Sequence, residues 1–425
     1  MGHQFIKKKI IIISCILLTL CILTLSLIFI PNWGSDNKNC LDDNCNSDIN
    51  NIVFNDTTFE FSFLKMENNK KNMLYSPLSI EYALNMLQEG ADENTFTEIN
   101  KVIGNSKLPK YASIDKNLSL ANGLFIRDKY YEYVKAAYIN ILKEKYDAEV
   151  IKDEFRNAQN ANKWIEDKTL GIIKNMLTDN MIKNPDNVML IINALAIDME
   201  WIIPFSGDNT YEGIFYLDNG QKLKVTMMLN KEVSNNAIAY YIDDNITVLK
   251  MDLKDYNGTQ FEFMAIMPNE KLNNYVENVT NEKISQIDKN LKLSSDAPDG
   301  VNIKIPKFKF DYDLNLKQDL INLGIKDAFN KKNANFSKMS DAKERNKLFY
   351  VSEALHKADI KFSEKGVKAA AVTVFTMAEL ASARLIPKHP INIVINKPFM
   401  FIIRDKNTKD IWFTGTVYEP SSHGM

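Results

Sequence analysis

The sequence predicts an α+β fold, on three observations. Helical periodicity gathers early in the chain, strand-like runs gather late, and no Gly/Pro/Ser-rich linker interrupts it after residue 52. "NMLYSPLSIEYALNMLQEGA" opens the series. Ser76 is placed to cap a helix, Pro77 suits its first position, and Leu78, Ala83, Leu84 and Leu87 supply an apolar face. "ANKWIEDKTLGIIKNML" reads as another helical stretch, interrupted at Gly171. "NVMLIINALAID", followed by "MEWIIPF", is a mostly apolar run suited to a buried strand. "VNIKIPKFKFDYD" alternates with period two over Val301, Ile303 and Ile305. "LNLKQDLINLGIKDAF" is a short helix ending near Gly324. The last part, "INIVINKPFMFIIRD" and "IWFTGTVYEP", reads as two strands joined by the tight turn "KNTKD".

With 425 residues and 45% hydrophobic content, the chain can bury a large core, and length alone suggests two or three domains. A formal charge of -2, with no basic cluster interleaved with aromatics, argues against a nucleic-acid partner. The N-terminus stands apart. Lys7, Lys8 and Lys9 precede an uncharged apolar run from Ile10 to Ile30. As a helix this run would cross about 30 Å, the thickness of a bilayer core. The lysines should stay cytoplasmic and the rest of the chain should be exported. Residues 1–30 are therefore expected to be a signal-anchor, with a cleaved signal peptide as the competitor. A lipidated Cys15 is disfavoured because the apolar run continues well past it. Residues 31–52 are polar and aperiodic, a flexible spacer. All four cysteines (Cys15, Cys21, Cys40 and Cys45) precede residue 46, so the globular part needs no disulfide. A bridge of Cys40 and Cys45 to each other or to another chain, and two unpaired thiols, stay equally open.

Enzymatic chemistry finds no footing. The chain has four histidines, His3, His356, His389 and His423, and lacks HExxH, paired CxxC, G-x-S-x-G and Walker patterns. His356 shares strand parity with Ala358, Ile360 and Phe362, which predicts a buried, hydrogen-bonded structural side chain. No catalytic residue, metal or cofactor is expected.

Several phrases together resemble the serpins, a family of suicide protease inhibitors. They are "NMLYSPLSI", "ANKWIEDKTLGII", "INALAIDMEWIIPF", "IPKFKFDYDLNLKQDLINLGIKDAF", "ANFSKM", "HKADIKFSEKGVKAAAVT" and "NKPFMFIIRDKNTKDIWFTGTVYEP", in family order from about residue 55 to 420. The resemblance implies a single domain over 53–425, with three β-sheets, eight or nine helices and an exposed reactive-centre loop at about 364–390. It overrides the length-based expectation. It implies a shutter of Ser76, Ser79, Asn193 and His356 under the main sheet, and a breach tryptophan at Trp201. It implies a hinge containing Glu364, Gly366, Val367, Ala369, Ala370, Ala371 and Thr373. In the family, a protease cuts the loop and is held as an acyl-enzyme. The loop then enters the main sheet as a strand, and the protease is dragged away and deformed.

The residues suit that demand. Counting in twos, Val367, Ala369, Ala371, Thr373, Phe375, Met377 and Glu379 would face inward, all but the last apolar or small, while Lys368 would face solvent. Gly366 is expected to supply backbone freedom for the turn into the sheet. Aligned from Gly366, the scissile bond falls at Leu380–Ala381, which suits chymotrypsin-, elastase- or subtilisin-like serine proteases. Arg384–Leu385 is the alternative and would suit trypsin-like enzymes. The implied partner is a target serine protease held covalently, with the membrane as a second partner through residues 10–30 if they are uncleaved. A monomer is expected, exported and anchored or secreted. The alternatives are a non-inhibitory binding, carrier or chaperone protein of the same fold, or an inhibitor of cysteine proteases. Val367 and Lys368 depart from the family's commonest Thr-Glu pair at these positions and keep the non-inhibitory alternative open.

Overall fold

The computed structural model describes residues 59–104, 108–114, 116–185, 187–341, 349–367 and 389–420. These residues belong to one compact unit. The apolar run, the spacer, and the loop from 368 to 388 lie outside them.

The first half supplies most of the helices. α1 (Phe59–Met66) leads through β1 (Met73–Tyr75) into α2 (Pro77–Gly90) and α3 (Glu93–Ile103). α2 starts where the sequence placed it. The Ser76 hydroxyl accepts from the Ser79 N–H at 3.1 Å, and Pro77 fills the first helical position. β2 (Leu118–Arg127), α4 (Ala136–Tyr146) and β3 (Ala148–Asp153) follow, then α5 (Gln159–Lys168) and the short α6 (Asp179–Lys183). α5 ends at Lys168, and the expected helical stretch does not resume after the interruption at Gly171. Leu170 and Gly171 take left-handed φ values of 56° and 75°, so the chain turns and "IIKNML" runs as an irregular strap.

The second half is mostly strand. β4 (Met189–Ile197) and β5 (Met199–Glu200) are separated by Asp198 alone. β6 (Tyr211–Tyr216), β7 (Lys222–Val233), β8 (Ile238–Ile242), β9 (Ile246–Tyr256) and β10 (Thr259–Pro268) follow. α7 (Leu272–Glu277), α8 (Asn281–Asn290) and β11 (Lys292–Leu293) lead to β12 (Val301–Pro306) and β13 (Phe308–Asn315). α9 (Leu316–Leu323) ends on Gly324 at φ 113°, a left-handed cap. β14 (Leu355–Phe362) and β15 (Gly366–Val367) precede the loop, and β16 (Ile391–Val394), β17 (Phe399–Asp405) and β18 (Ile411–Val417) follow it. The expected two C-terminal strands are thus three. Pro398, without an N–H, breaks the run, and β16 leaves to pair in parallel with β12.

Three sheets result, with nine α-helices among the described residues. A seven-stranded sheet runs β1-β18-β17-β10-β9-β8-β11, and a four-stranded sheet runs β16-β12-β7-β6. The main sheet is split. One part is β3-β2-β4 and the other is β13-β14-β15-β5, joined because β5 continues β4. An aromatic cluster lies where the main and seven-stranded sheets meet. Phe263 sits 5.9 Å from Trp201, 4.6 Å from Phe362 and 6.0 Å from Phe401 between ring centres. Phe263 is fully buried, so Phe263→Ala is expected to destabilise the protein by about 3–5 kcal/mol. Guanidinium unfolding would read this as a lowered midpoint with an unchanged slope, and an unchanged midpoint would show that the cluster carries no such load.

Candidate hinge and sheet opening

At the top of the main sheet, β15 is wedged between two strands. Val367 pairs with Phe362 of β14 on one side and with Met199 of β5 on the other, antiparallel to both. Val367 is buried. The preceding turn is fixed from several directions. Ser363 N–H donates to the Gly366 carbonyl at 3.1 Å, Trp201 N–H donates to the Lys365 carbonyl at 2.8 Å, and Phe205 N–H donates to the Glu364 carbonyl at 2.8 Å. The Trp201 indole N–H donates to the Ser363 carbonyl at 2.9 Å, and its ring is fully buried beside Phe362. Trp201 thus holds the turn through both its backbone and its ring.

The Glu364 carboxylate meets Lys307 at 3.0 Å and the Thr210 hydroxyl at 3.1 Å. Burial would raise this carboxyl, but hydrogen bonds from its own N–H and from Lys307, with the Lys307 charge, hold it below the usual range. The pair is mostly shielded, so it fixes the chain more firmly than an exposed bridge would.

Gly366 departs from expectation in its reason. It does not occupy the left-handed region. A Cβ there would stand 2.0 Å from the Met199 carbonyl oxygen and 2.8 Å from the Glu200 Cα. The glycine supplies room between two backbones and not turning freedom. The structure leaves Ala369, Ala370, Ala371, Thr373, Leu380, Ala381, Arg384 and Leu385 outside the described residues. The chain resumes at His389, whose N–H donates to Asp299 at 2.8 Å.

Below the wedge, no backbone ladder joins β4 to β14 among the described residues. A cavity of about 140 Å³ opens between them over α2, and Ser76, Ser79, Asn193 and His356 all line it. Three of these four form one chain of bonds. The His356 Nε2 accepts from the Ser76 N–H at 3.0 Å, and the Ser76 hydroxyl accepts from Ser79. Asn193 turns elsewhere. Its amide donates to the Asn122 side chain at 2.7 Å, and Asn122 donates to the Tyr146 carbonyl at 2.7 Å. The Asn193 Oδ1 is buried with no hydrogen-bond partner. Sequence reading missed Asn122, although a buried polar residue inside "LSLANGLFIR" was its signal. It also missed Lys307, whose partner lies 57 residues away and shares no local pattern with it. The strap after α5 covers the opening, with Ile173 and Leu177 on its lining.

The comparisons agree with this geometry. The family model described as Serpin (serine protease inhibitor) matches residues 55–420. The chain is similar to an uncharacterized serpin-like protein of Methanosarcina acetivorans, at 30% identity over 88% of this chain and 87% of that one. Among solved structures it is similar to the thermophilic serpin tengpin in its native state, with a TM-score of 0.69 and 30% identity over 88% of this chain and 95% of that one. It is also similar to thyroxine-binding globulin in complex with thyroxine, with a TM-score of 0.68 and 26% identity over 86% of this chain and 98% of that one.

Two tests follow from the geometry. Gly366→Ala is expected to push the wedge off Met199, at about 1–3 kcal/mol for overpacking, with a change in Trp201 fluorescence. Unchanged fluorescence and stability would show that the close approach is relieved elsewhere. His356 titrates at about 4, lowered by burial, against an ordinary value near 6.5. A lowered folded pKa favours the neutral ring in the fold, so its contribution is complete above about pH 6.5. It is lost as the pH falls toward 4, up to about 3 kcal/mol. His356→Gln should flatten stability against pH over that window relative to the parent, and parallel curves would show that the ring titrates normally.

Proposed function

The chain belongs to the serpin family, and from that premise we propose that it is an irreversible suicide-substrate inhibitor of serine endopeptidases, not an enzyme. One observation carries the reading. Val367 is already seated between β14 and β5, while β4 and β14 below it remain unbonded. Adjacent strands lie about 4.8 Å apart, so two strands flanking a third stand about 10 Å apart. Because β4 continues β5 past Asp198, the opening leaves the wedge a strand's width across. A strand prolonged from Val367 would run antiparallel to both neighbours and complete both ladders.

The alternating small residues after Gly366 support entry of that segment, and its length supports cleavage at Leu380–Ala381. Gly366 to Leu380 is fifteen residues, roughly 50 Å when extended. An acylated protease carried that distance loses the aligned triad and oxyanion hole that it needs to finish hydrolysis. Cleavage at Arg384–Leu385 would add about 13 Å of slack and weaken the deformation. The apolar run from Ile10 to Ile30 supports action outside the cytoplasm, on a membrane tether or after release.

A second reading, a non-inhibitory binding protein, draws on the likeness to thyroxine-binding globulin. Incubation with chymotrypsin, elastase, subtilisin and trypsin in turn separates the two. The expected result is an SDS-stable complex and a released peptide beginning at Ala381, and cutting should raise the melting midpoint strongly. A peptide beginning at Leu385 with a stable trypsin complex would move the bond. Cutting by all four enzymes without a complex would sink inhibition of serine proteases by this chain.

A further inference from the structure

The opening in the main sheet is closed at its upper end by Val367. It is also closed at its lower end, by side chains. Asn187 lies two residues before β4, and Ser352 lies three residues before β14. The Ser352 hydroxyl donates to the Asn187 Oδ1, a direct link between the two parts of the sheet.

Each partner is held firmly on its own side. Asn187 is 1% exposed, and its Nδ2 donates to the Met181 carbonyl. Arg127 of β2 donates to the Asn187 carbonyl at 3.0 Å, and to the carbonyls of Ile182 at 2.9 Å and Asn184 at 2.8 Å. Across the gap, the Ser352 carbonyl accepts from Lys317 of α9 at 2.7 Å, and the neighbouring Val351 N–H donates to the Ala328 carbonyl at 2.8 Å. The link therefore joins two anchored segments, and parting them breaks it.

Register says when that would happen. Met199 stands opposite Val367, and Asn187 lies twelve residues before Met199. A strand continued from Val367 along β5 and β4 in that register reaches Asn187 at position 379. On the other side, Phe362 stands opposite Val367, and Ser352 lies ten residues before Phe362, which corresponds to position 377. These positions immediately precede the proposed scissile bond. The upper rungs can form with the link intact. The last rungs cannot, because flanking strands must stand about 10 Å apart to admit a third.

We propose that the Asn187–Ser352 hydrogen bond is a clasp at the closed end of the opening, and that its release sets the rate of the last stage of loop insertion. The proposal rests on the insertion reading above. Asn187 and Ser352 are positioning residues in it, since neither touches the protease.

The test uses the full chain in detergent, mixed with saturating chymotrypsin. Acylation is followed by rapid quench and insertion by intrinsic tryptophan fluorescence. Ser352→Ala is expected to leave the acylation rate unchanged within error, to lower the melting midpoint of the uncut protein modestly because the buried Asn187 Oδ1 loses its partner, and to speed insertion several-fold. Ser352→Thr, which keeps the hydroxyl, should return the insertion rate to that of the parent. Insertion in Ser352→Ala at the parental rate overturns the proposal while leaving the inhibitor reading intact. A parent whose melting midpoint is unmoved by cutting overturns both. Should Ser352→Ala fail to fold, hydrogen exchange on the unaltered protein decides. Cutting must then raise protection at 187–190 and 352–355 later than at 195–199. Simultaneous protection, or none at the lower positions, overturns the clasp.

Discussion

The main sheet is governed by a ladder that is not made. β4 and β14 face one another over a cavity with no backbone hydrogen bonds between them among the described residues. Sheet edges seek partners, and each rung is worth about 0.5–1.5 kcal/mol net when formed. The surrounding residues keep these two edges apart and covered. Val367 holds the top apart as a spacer of one strand's width, α2 supports the opening from beneath, and the strap after α5 shields it. A site kept open in this way is unfinished in a directional sense, since it can be completed by one more antiparallel strand entering from the wedge.

The polar groups inside the opening fit that condition. Most of the lining is apolar, including Ile80, Leu84, Leu87, Ile191 and Leu195, and the polar side chains of Ser76 and His356 are bonded within it. His356 accepts a backbone N–H and Ser76 caps a helix, while behind the lining Asn122 receives the Asn193 amide and ties β2 to the end of α4. One acceptor, the Asn193 Oδ1, is left without a partner. A buried acceptor left bare costs about 1–3 kcal/mol, and an entering strand carries backbone N–H groups that could meet it. That bare acceptor therefore favours the opening being filled.

Much of this was legible in the sequence where the signal is local. The Ser76-Pro77 helix start, the Gly324 cap and the inward parity of His356 each depend on a few neighbouring residues. What could not be read depends on residues that meet only after folding. Gly366 announces itself as a glycine, but only the Met199 carbonyl oxygen 2.0 Å from a Cβ shows that it is there for room. Asn193 was grouped with His356 by resemblance, yet its bond goes to Asn122 across the β2–β4 ladder. The interruption at Gly171 was legible, but that no helix resumes after it was not, because Ile172, Ile173 and Met176 find their apolar partners in the cluster of Phe125, Ile165 and Ile192 from an irregular strap. β16 was merged with β17 because both are apolar, and only pairing with β12 separates them.

The proposed insertion needs a rigid body for the main sheet to part against, and the seven-stranded sheet supplies one. Most of the buried charge there is gathered into one ion-pair network. Glu262, fully buried, meets Arg404 at 2.7 Å, Lys409 at 2.9 Å and Lys250 at 3.1 Å, and Lys250 also meets Asp252 at 3.1 Å. Burial alone would raise the Glu262 carboxyl, and these three cations hold it below its ordinary value. Such a network adds little net stability over a well-packed apolar core, because desolvation offsets most of the attraction. Its effect is on uniqueness. Shifting β10 against β9 or β17 by one residue would strand several charges in the interior at once, a cost of several kcal/mol for each uncompensated ion. The two parts of the main sheet meet through a short wedge at the top and a side-chain link at the bottom, with no comparable buried charge network between them among the described residues. On the insertion reading, the difference between the two sheets decides where this fold would open.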